Sequence, residues 1–302
     1  MIVEPQWIPT EHDLAAARIT DYTGFVAKRT GFLATDYHSL WKWSVDNLDA
    51  FWRSIWDYFE LGPSVSSALS DTDMPGAQWF PGARVNYVDQ IARHGRSDRT
   101  AIVYVGEDGA QREIAWTELI ERTAALAVTL RAVGVSAGDR VVAYMPNIAE
   151  TVIAFLATAS IGAVWSACGQ DYSVKAALDR FGQLDPVVLV TADGYRFGGK
   201  THDRSREIDE LRTALSGLVA TIQVSRFGAT PEGVIDWLHA TAGAPELRPT
   251  QVGFDHPLWV VFSSGTTGLP KGIVHGHGGV VLEHLKTVAL HLNIGSEDTL
   301  FW

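Results

Sequence analysis

His256-Pro257-Leu258-Trp259-Val260-Val261-Phe262-Ser263-Ser264-Gly265-Thr266-Thr267-Gly268-Leu269-Pro270-Lys271-Gly272 carries an apolar run into a loop of hydroxyls and glycines that closes on a cation. Residues 259–263 have the β-branched and aromatic composition of a buried strand. From Ser263 to Gly272 come four hydroxyl side chains, three glycines and a lysine. A turn of this kind presents unpaired backbone N–H groups beside hydroxyl donors, which suits the oxygens of a polyphosphate. Gly265, Gly268 and Gly272 let the backbone approach an anion or take positive φ, and Lys271 adds a point charge. The candidate phosphate-binding residues are therefore Ser263, Ser264, Gly265, Thr266, Thr267, Gly268, Lys271 and Gly272. The same residues also admit a plainer reading, a polar hairpin between 259–263 and 272–275.

The loop departs from the common P-loop of mononucleotide kinases. Pro270 stands where that pattern requires glycine, and Gly272 replaces the Ser or Thr that would meet magnesium.

Upstream, strand-like and helix-like stretches alternate. Residues 100–105 and 112–116 read as strands about a turn at 107–109, and Thr117 is expected to cap a helix carrying Leu119, Thr123, Leu126 and Leu130 on one face. Gly134 stops it, and 141–145 returns as a strand. Ser173 is expected to cap a helix with Val174, Ala177, Leu178, Phe181 and Leu184 inside, broken by Asp185-Pro186 before a strand at 187–191. Such alternation predicts an α/β fold: a parallel-rich sheet covered by helices, with sites at the carboxyl ends of strands. The expected flexible stretch is 194–206.

Residues 1–84 differ in texture. Trp43, Phe51, Trp52, Ile55, Trp56 and Phe59 recur at helical spacings, predicting a packed helical cap with a helix near 48–59. A ligand-stacking role for these rings is the alternative. The boundary falls at the Gly76, Pro81 and Gly82 punctuation, giving a cap over 1–84 and a second region over 85–302.

Composition removes several function classes. Of the 302 residues 46% are hydrophobic and 20% charged, a globular profile, and the net charge of -11 would repel a phosphate backbone, so no nucleic-acid partner is expected. No membrane partner is expected either. The uncharged run 151–170 has the length of a bilayer span, about 20 residues, but its flanks are Glu150 and Asp171 and Gly162 divides it, so it reads as a buried helix, turn and strand. Cys168 is the only cysteine, which rules out an internal disulfide, and Glu4, Glu11 and Asp13 stand where a secretory leader would be basic and then apolar; the expected location is cytoplasmic. Cys168 has no basic neighbour in sequence to make it a nucleophile and reads as packing. His275, His277 and His284 lack the companions of a zinc site, so no metal centre is assigned.

The loop at 263–272 resembles the phosphate-binding signature of the adenylate-forming superfamily, which includes acyl-CoA synthetases. Further matches lie in the family's order: Trp116-Thr117-Glu118-Leu119, Gly134-Val135, Gly138-Asp139-Arg140-Val141 and Met145-Pro146-Asn147 with Glu150. Trp43-Ser44-Val45, Phe51-Trp52, Trp56-Asp57 and Trp79-Phe80-Pro81-Gly82-Ala83-Arg84-Val85-Asn86-Tyr87 resemble the helical cap of its short-chain branch. Asp179-Arg180-Phe181, Gln183, Pro186, Gly199-Lys200, His202, His256-Pro257-Leu258 and His284-Leu285-Lys286 are similar to the acetoacetate-activating branch more than to the acetate-activating one.

The resemblance implies a helical cap followed by the first part of the family's layered α/β domain. It also implies a reaction: ATP, with Mg2+, activates a carboxylate as its adenylate, and the thiol of coenzyme A then displaces AMP. The implied acid is acetoacetate, with acetate, propionate or another short-chain acid as the alternative. By the same resemblance the loop residues hold the β- and γ-phosphates, and Arg196 with Lys200, in the stretch 194–200, meet the phosphates of coenzyme A; a solvated basic loop is the other reading of that stretch. The family's adenine motif, ribose aspartate and catalytic lysine have no counterpart in these residues. The implied partners are small-molecule substrates and the missing carboxyl-terminal portion of the same enzyme, and the chain alone is expected not to turn over. A non-catalytic nucleotide-binding remnant or half of a split protein is the alternative of another class. Residues 299–302 are apolar and read as a strand edge that would favour aggregation.

Overall fold

The computed structural model describes residues 6–93, 97–263 and 268–301. The chain forms two compact units, residues 1–85 with 278–302, and residues 86–277.

In the first unit, helices α1 (Glu11–Ala16), α2 (Arg18–Thr30), α3 (Tyr37–Asp46) and α4 (Leu48–Tyr58) follow one another. Their ends are set by local chemistry. The side chains of Thr10 and Asp36 accept the amides of Asp13 and Ser39, and Gly31 closes α2 in the left-handed region at φ 77°. The aromatic stripe is the packed face of α4: Trp56 stacks on Phe80 at 5.0 Å, and Trp52 meets Trp79 edge-on at 6.2 Å. These rings spend their surfaces on one another, as core aromatics do. Residues 278–301 add the rest of the helix His277–Leu285 and the π-helical turn Lys286–His291, where the Lys286 ammonium lies 5.1 Å from the Trp52 ring. One expectation fails here. Residues 299–301 form no strand, because no described strand pairs with them to take up their backbone hydrogen bonds; Phe301 is 94% exposed.

In the second unit, β1 (Thr100–Val105) and β2 (Gln111–Ala115) make an antiparallel hairpin, and α5 (Trp116–Ala132) leaves directly from β2. Thr117 lies inside that helix and does not cap it. The amides of Trp116 and Thr117 donate instead to the carbonyls of Arg99 and Ser97 at 3.0 and 3.2 Å. Neighbouring backbone thus satisfies the donors that a hydroxyl cap would serve.

The sheet then builds in alternation: β3 (Arg140–Tyr144), α6 (Ala149–Ser160), β4 (Val164–Cys168), α7 (Val174–Phe181), β5 (Val188–Ala192). The uncharged run is the expected helix, turn and strand. Gly162 makes the turn at φ 76°, where an added Cβ would lie 2.9 Å from Val252 Cγ1. Among the described residues no helix is long and apolar enough to cross a membrane. Ser173 caps α7 as expected, its Oγ accepting the Ala176 amide at 3.2 Å, and Asp185 turns left-handed at φ 46° before Pro186.

The stretch expected to be flexible is ordered. β6 (Gly194–Phe197) and β7 (Lys200–Asp203) form an antiparallel hairpin, with the Tyr195 and His202 rings stacked at 4.8 Å, and α8 (Ser205–Ala214) follows. Cross-strand ring stacking stabilises a segment whose glycines and charges suggested a loop. The strands that complete the large sheet are β8 (Ala220–Val224), β9 (Ile235–Asp236), β10 (Pro257–Ser263) and β11 (Lys271–Gly276).

Seven strands form one sheet in the order β9-β8-β5-β3-β4-β10-β11, parallel throughout except for the last pair. Helices α7 and α8 share a core with Val142, Tyr144, Cys168 and Leu189 on one face. Val141, Ala143, Val188 and Val190, equally buried, point to the other face, and α6, which connects β3 to β4, packs against α5. The chain leaves β3 toward β4 on one side and leaves β5 toward β8 on the other, so the order reverses between β3 and β5. Open α/β sheets place ligands at the carboxyl ends of strands beside such a reversal.

Candidate nucleotide-binding site

The glycine- and hydroxyl-bearing loop joins β10 to β11. Ser263 and Lys271 are direct cross-strand partners, as are Phe262 and Gly272. Ser264, Gly265, Thr266 and Thr267 lie outside the described residues. Gly268 has φ 115°, a conformation that excludes most side chains. A Cβ at Gly272 would stand 3.1 Å from Val260 Cγ1, so the second arm packs tightly on the first. Lys271 makes no ion pair among the described residues, which leaves its ammonium available. The Gln183 side-chain amide donates to the carbonyl of Pro270 at 3.0 Å and ties this arm to the end of α7. The hairpin of the plainer reading is therefore present, and it is the frame on which the loop is hung. Hairpin arms and a phosphate-binding tip are compatible.

At the carboxyl ends of β3, β5 and β8 a crevice of about 1150 Å³ opens. Its floor includes Gln170, whose Nε2 donates to Ala192 O at 2.5 Å while its Oε1 is buried without a partner among the described residues. Trp237 Nε1, along the same crevice, is likewise buried and has no partner among the described residues. Two orphaned polar atoms in one crevice suit a ligand or ordered water able to complete them.

Arg196 and Lys200 sit on the β6–β7 hairpin but do not converge. The register pairs Arg196 with Thr201 and Phe197 with Lys200, so alternation sends the two cations to opposite faces. Arg196 lines the crevice, paired with Asp108 at 2.9 Å, and Lys200 does not line it. A residue outside the sequence reading stands nearby. Asp193, only 6% exposed, accepts the amides of Arg226, Phe227 and Gly228, each at 2.8 Å, and so fixes the turn after β8. The signal available in sequence was an acid directly after the strand Val188–Ala192, but its partners lie more than thirty residues on, beyond the reach of local pattern.

The histidines are dispersed. His277 is fully buried, its Nδ1 accepting the Tyr87 amide at 3.1 Å, and burial, with His256 close by, drives its pKa down to about 4. The His256 Nε2 faces Gly162 O at 2.7 Å, and His275 Nδ1 accepts the Trp259 indole N–H at 3.0 Å. Cys168 is buried among the residues under α7, and that burial pushes its thiol up to about 11.

Comparisons with known proteins agree on one family. Residues 37–91 match the model of the acetyl-coenzyme A synthetase N-terminus. The chain is 36% identical to acetoacetyl-coenzyme A synthetase of Rhizobium meliloti (strain 1021) over 99% of its own length and 47% of that protein's. It is 34% identical to the acetoacetyl-CoA synthetase of Gallus gallus, covering 92% of this chain and 44% of the relative. Among solved structures, acetoacetyl-CoA synthetase from Streptomyces lividans superposes with a TM-score of 0.94 and 46% identity, over 98% of this chain and 47% of that one. The chain thus spans about half the length of the relatives it matches. Residues 88–302 match the model of the AMP-binding enzymes, and to that family the chain belongs.

Proposed function

We propose that this chain is part of an ATP-dependent ligase that joins acetoacetate to coenzyme A through an acyl-adenylate, yielding acetoacetyl-CoA, AMP and pyrophosphate. The observation that carries the reading is the likeness along nearly the whole chain to acetoacetyl-CoA synthetase of Streptomyces lividans. The partner in catalysis would be the carboxyl-terminal portion of the same enzyme, and the setting cytoplasmic.

In the first step a carboxylate oxygen attacks the α-phosphorus of ATP, the bond to the bridging oxygen breaks, and pyrophosphate leaves with the electron pair. In the second, the coenzyme A sulfur attacks the acyl carbon, AMP leaves with its oxygen, and the thiol proton passes to solvent. Both steps depend on positioning and charge neutralisation more than on covalent help. The roles of this chain follow from its hairpin tip: Ser263, Ser264, Thr266, Thr267 and Lys271, with the backbone at Gly265, Gly268 and Gly272, would hold the β- and γ-phosphates. Magnesium neutralises phosphate charge in such reactions. Among the described residues no group of three or more His, Cys, Asp or Glu could hold a metal, so no residue of this chain is assigned to it.

The test joins this chain to the carboxyl-terminal portion of the Streptomyces lividans relative and measures ATP–pyrophosphate exchange with acetoacetate, acetate and propionate. Exchange driven best by acetoacetate supports the reading. Preference for acetate or propionate would keep the ligase and change the acid, and no exchange with any of the three would favour a non-catalytic role.

A further inference from the structure

The seven-stranded sheet ends differently at its two sides. At one side β9 is only Ile235–Asp236 and runs straight into the helical turn Trp237–Ala240, so little free backbone is left for another strand. At the other side β11 runs over Lys271–Gly276 and, among the described residues, pairs with β10 alone. From Lys271 to His275 neither a proline nor a shift of register interrupts it. Short edge strands, prolines, bulges and charged side chains are what keep a sheet from taking on further strands. β9 has the first of these, whereas β11 has nothing beyond Lys271 at its first position.

The side chains of this edge are apolar on both faces. Ile273 and Val274 are consecutive in a strand and therefore point to opposite sides of the sheet, yet they are 45% and 58% exposed. Val261, the cross-strand partner of Ile273, is exposed to the same degree. An antiparallel edge that faces water carries polar residues on its wet side, and a strand apolar on both sides has the composition of one covered on both.

We propose that β11 is an interior strand of the assembled enzyme, and that an extended segment from the carboxyl-terminal portion of the same polypeptide pairs with its free edge as an eighth strand. This rests on the reading above that the chain is part of a longer ligase. The chain covers 47% of the Rhizobium meliloti and Streptomyces lividans relatives, so more than half of such a polypeptide is available to supply the strand. A second copy of this chain is the rival occupant. Two chains of net charge -11 repel one another, whereas a tethered segment arrives at high effective concentration. Because both faces of β11 are apolar, the incoming strand is a near-continuous apolar run and not an alternating one. The consequence falls on the phosphate loop. Here the Lys271 arm is held by β10 on one side and by the Gln183 contact to Pro270 O, and pairing on the second side clamps the backbone that aims Lys271.

Hydrogen exchange over residues 271–276, read by mass spectrometry, tests this in the 302-residue chain alone and in the chain joined to the carboxyl-terminal portion of the Streptomyces lividans relative. Alone, the amides facing away from β10 are expected to exchange rapidly; in the joined protein they should slow by about 100-fold or more. Val142 and Val190, in the middle of the sheet, should be protected in both and report that the fold is intact. Val274→Lys puts a charge on the edge, and is expected to abolish the added protection while moving the melting temperature of the chain alone by less than about 2 °C, as an exposed substitution does. Val219→Lys, at an exposed valine away from this edge, should leave the added protection in place. Rapid exchange over 271–276 in the joined protein, with Val142 and Val190 still protected, overturns the proposal whatever pyrophosphate exchange shows. So does slow exchange in the chain alone accompanied by a dimer in sedimentation, which makes a second copy the occupant. Protection that appears on joining without any pyrophosphate exchange supports the docking and counts against the ligase reading, so the two fail separately.

Discussion

His277 accepts the backbone N–H of Tyr87 through its Nδ1 at 3.1 Å, and this bond defines both its tautomer and its charge. A nitrogen that accepts carries no proton, so the hydrogen of the neutral ring sits on Nε2, which is buried and has no partner among the described residues. A second proton would break the bond to Tyr87 and place a charge in a buried site.

Acid stability follows from that bond. Burial holds the folded-state pKa of His277 near 4, below the ordinary 6.5, so between those values the unfolded chain binds more protons than the folded one. The contribution is fully present above about pH 6.5, shrinks as pH falls, and is gone below about pH 4; its size is on the order of 3 kcal/mol. Urea unfolding at pH 7 and at pH 4.5 should show the loss, and His277→Gln, which keeps an acceptor but does not titrate, should remove most of it. An unchanged pH slope in that variant would show that other groups are responsible.

The phosphate role of the β10–β11 tip predicts that replacing Thr266, Thr267 and Lys271 together by alanine lowers the adenylation rate by about 100-fold or more. The fold should persist, since the arms rather than the tip carry the pairing from Ser263↔Lys271 inward. Pyrophosphate exchange in the joined enzyme, read beside far-UV circular dichroism, separates the two; wild-type exchange in the triple variant would falsify the role.

Asn86 is expected to be costly to replace. Its buried side chain donates to the carbonyls of Ala159 and Thr250, both at 2.9 Å, and accepts the Val88 amide at 2.9 Å. Asn86→Ala removes these three hydrogen bonds, leaves the buried Val88 amide without its acceptor, and should destabilise by about 3 kcal/mol. Thermal melts would show a fall of several degrees, and a shift under one degree would mean that water replaces the side chain without loss.

Cys168 should be silent toward thiol reagents in the native protein. With its thiol pushed up to about 11 by burial, it carries almost no thiolate at pH 8. Labelling with a disulfide reagent at that pH should proceed only after unfolding; rapid native labelling would contradict its burial.

The parts of this fold that were legible in the sequence are those whose causes are local. The helix, turn and strand across 149–168 declare themselves through an uncharged run broken at Gly162, and Ser173 announces α7 through a hydroxyl three residues before the amide it accepts. Reading failed where the cause lies far along the chain. Thr117 looked like a cap because the carbonyls that serve its helix belong to Ser97 and Arg99 across a hairpin. Residues 194–203 looked mobile because the contact that orders them, Tyr195 on His202, is made only after the strand has turned back. The strand Ala220–Val224 went unread, its five residues too short to separate from a helix segment by periodicity. The candidate site divides the same way. The loop at 263–272 was visible as composition, whereas Asp193 and Arg226 acquire meaning only when β5 and β8 lie side by side.

The place of β3 at the centre of the sheet bears on how the chain assembles. β3, β4 and β5 all fall within 140–192, so their pairing closes only short loops, whereas β10 reaches β4 from 94 residues away, as the Ser166 hydroxyl on Val260 O records. Closing the longer loop costs roughly 1 kcal/mol more in chain entropy. The central trio should therefore nucleate, and the hairpin bearing Lys271 should dock late onto an edge that is already formed. Pulse-labelled hydrogen exchange during refolding would then protect the amides of Val142 and Val190 before those of Val260 and Val274.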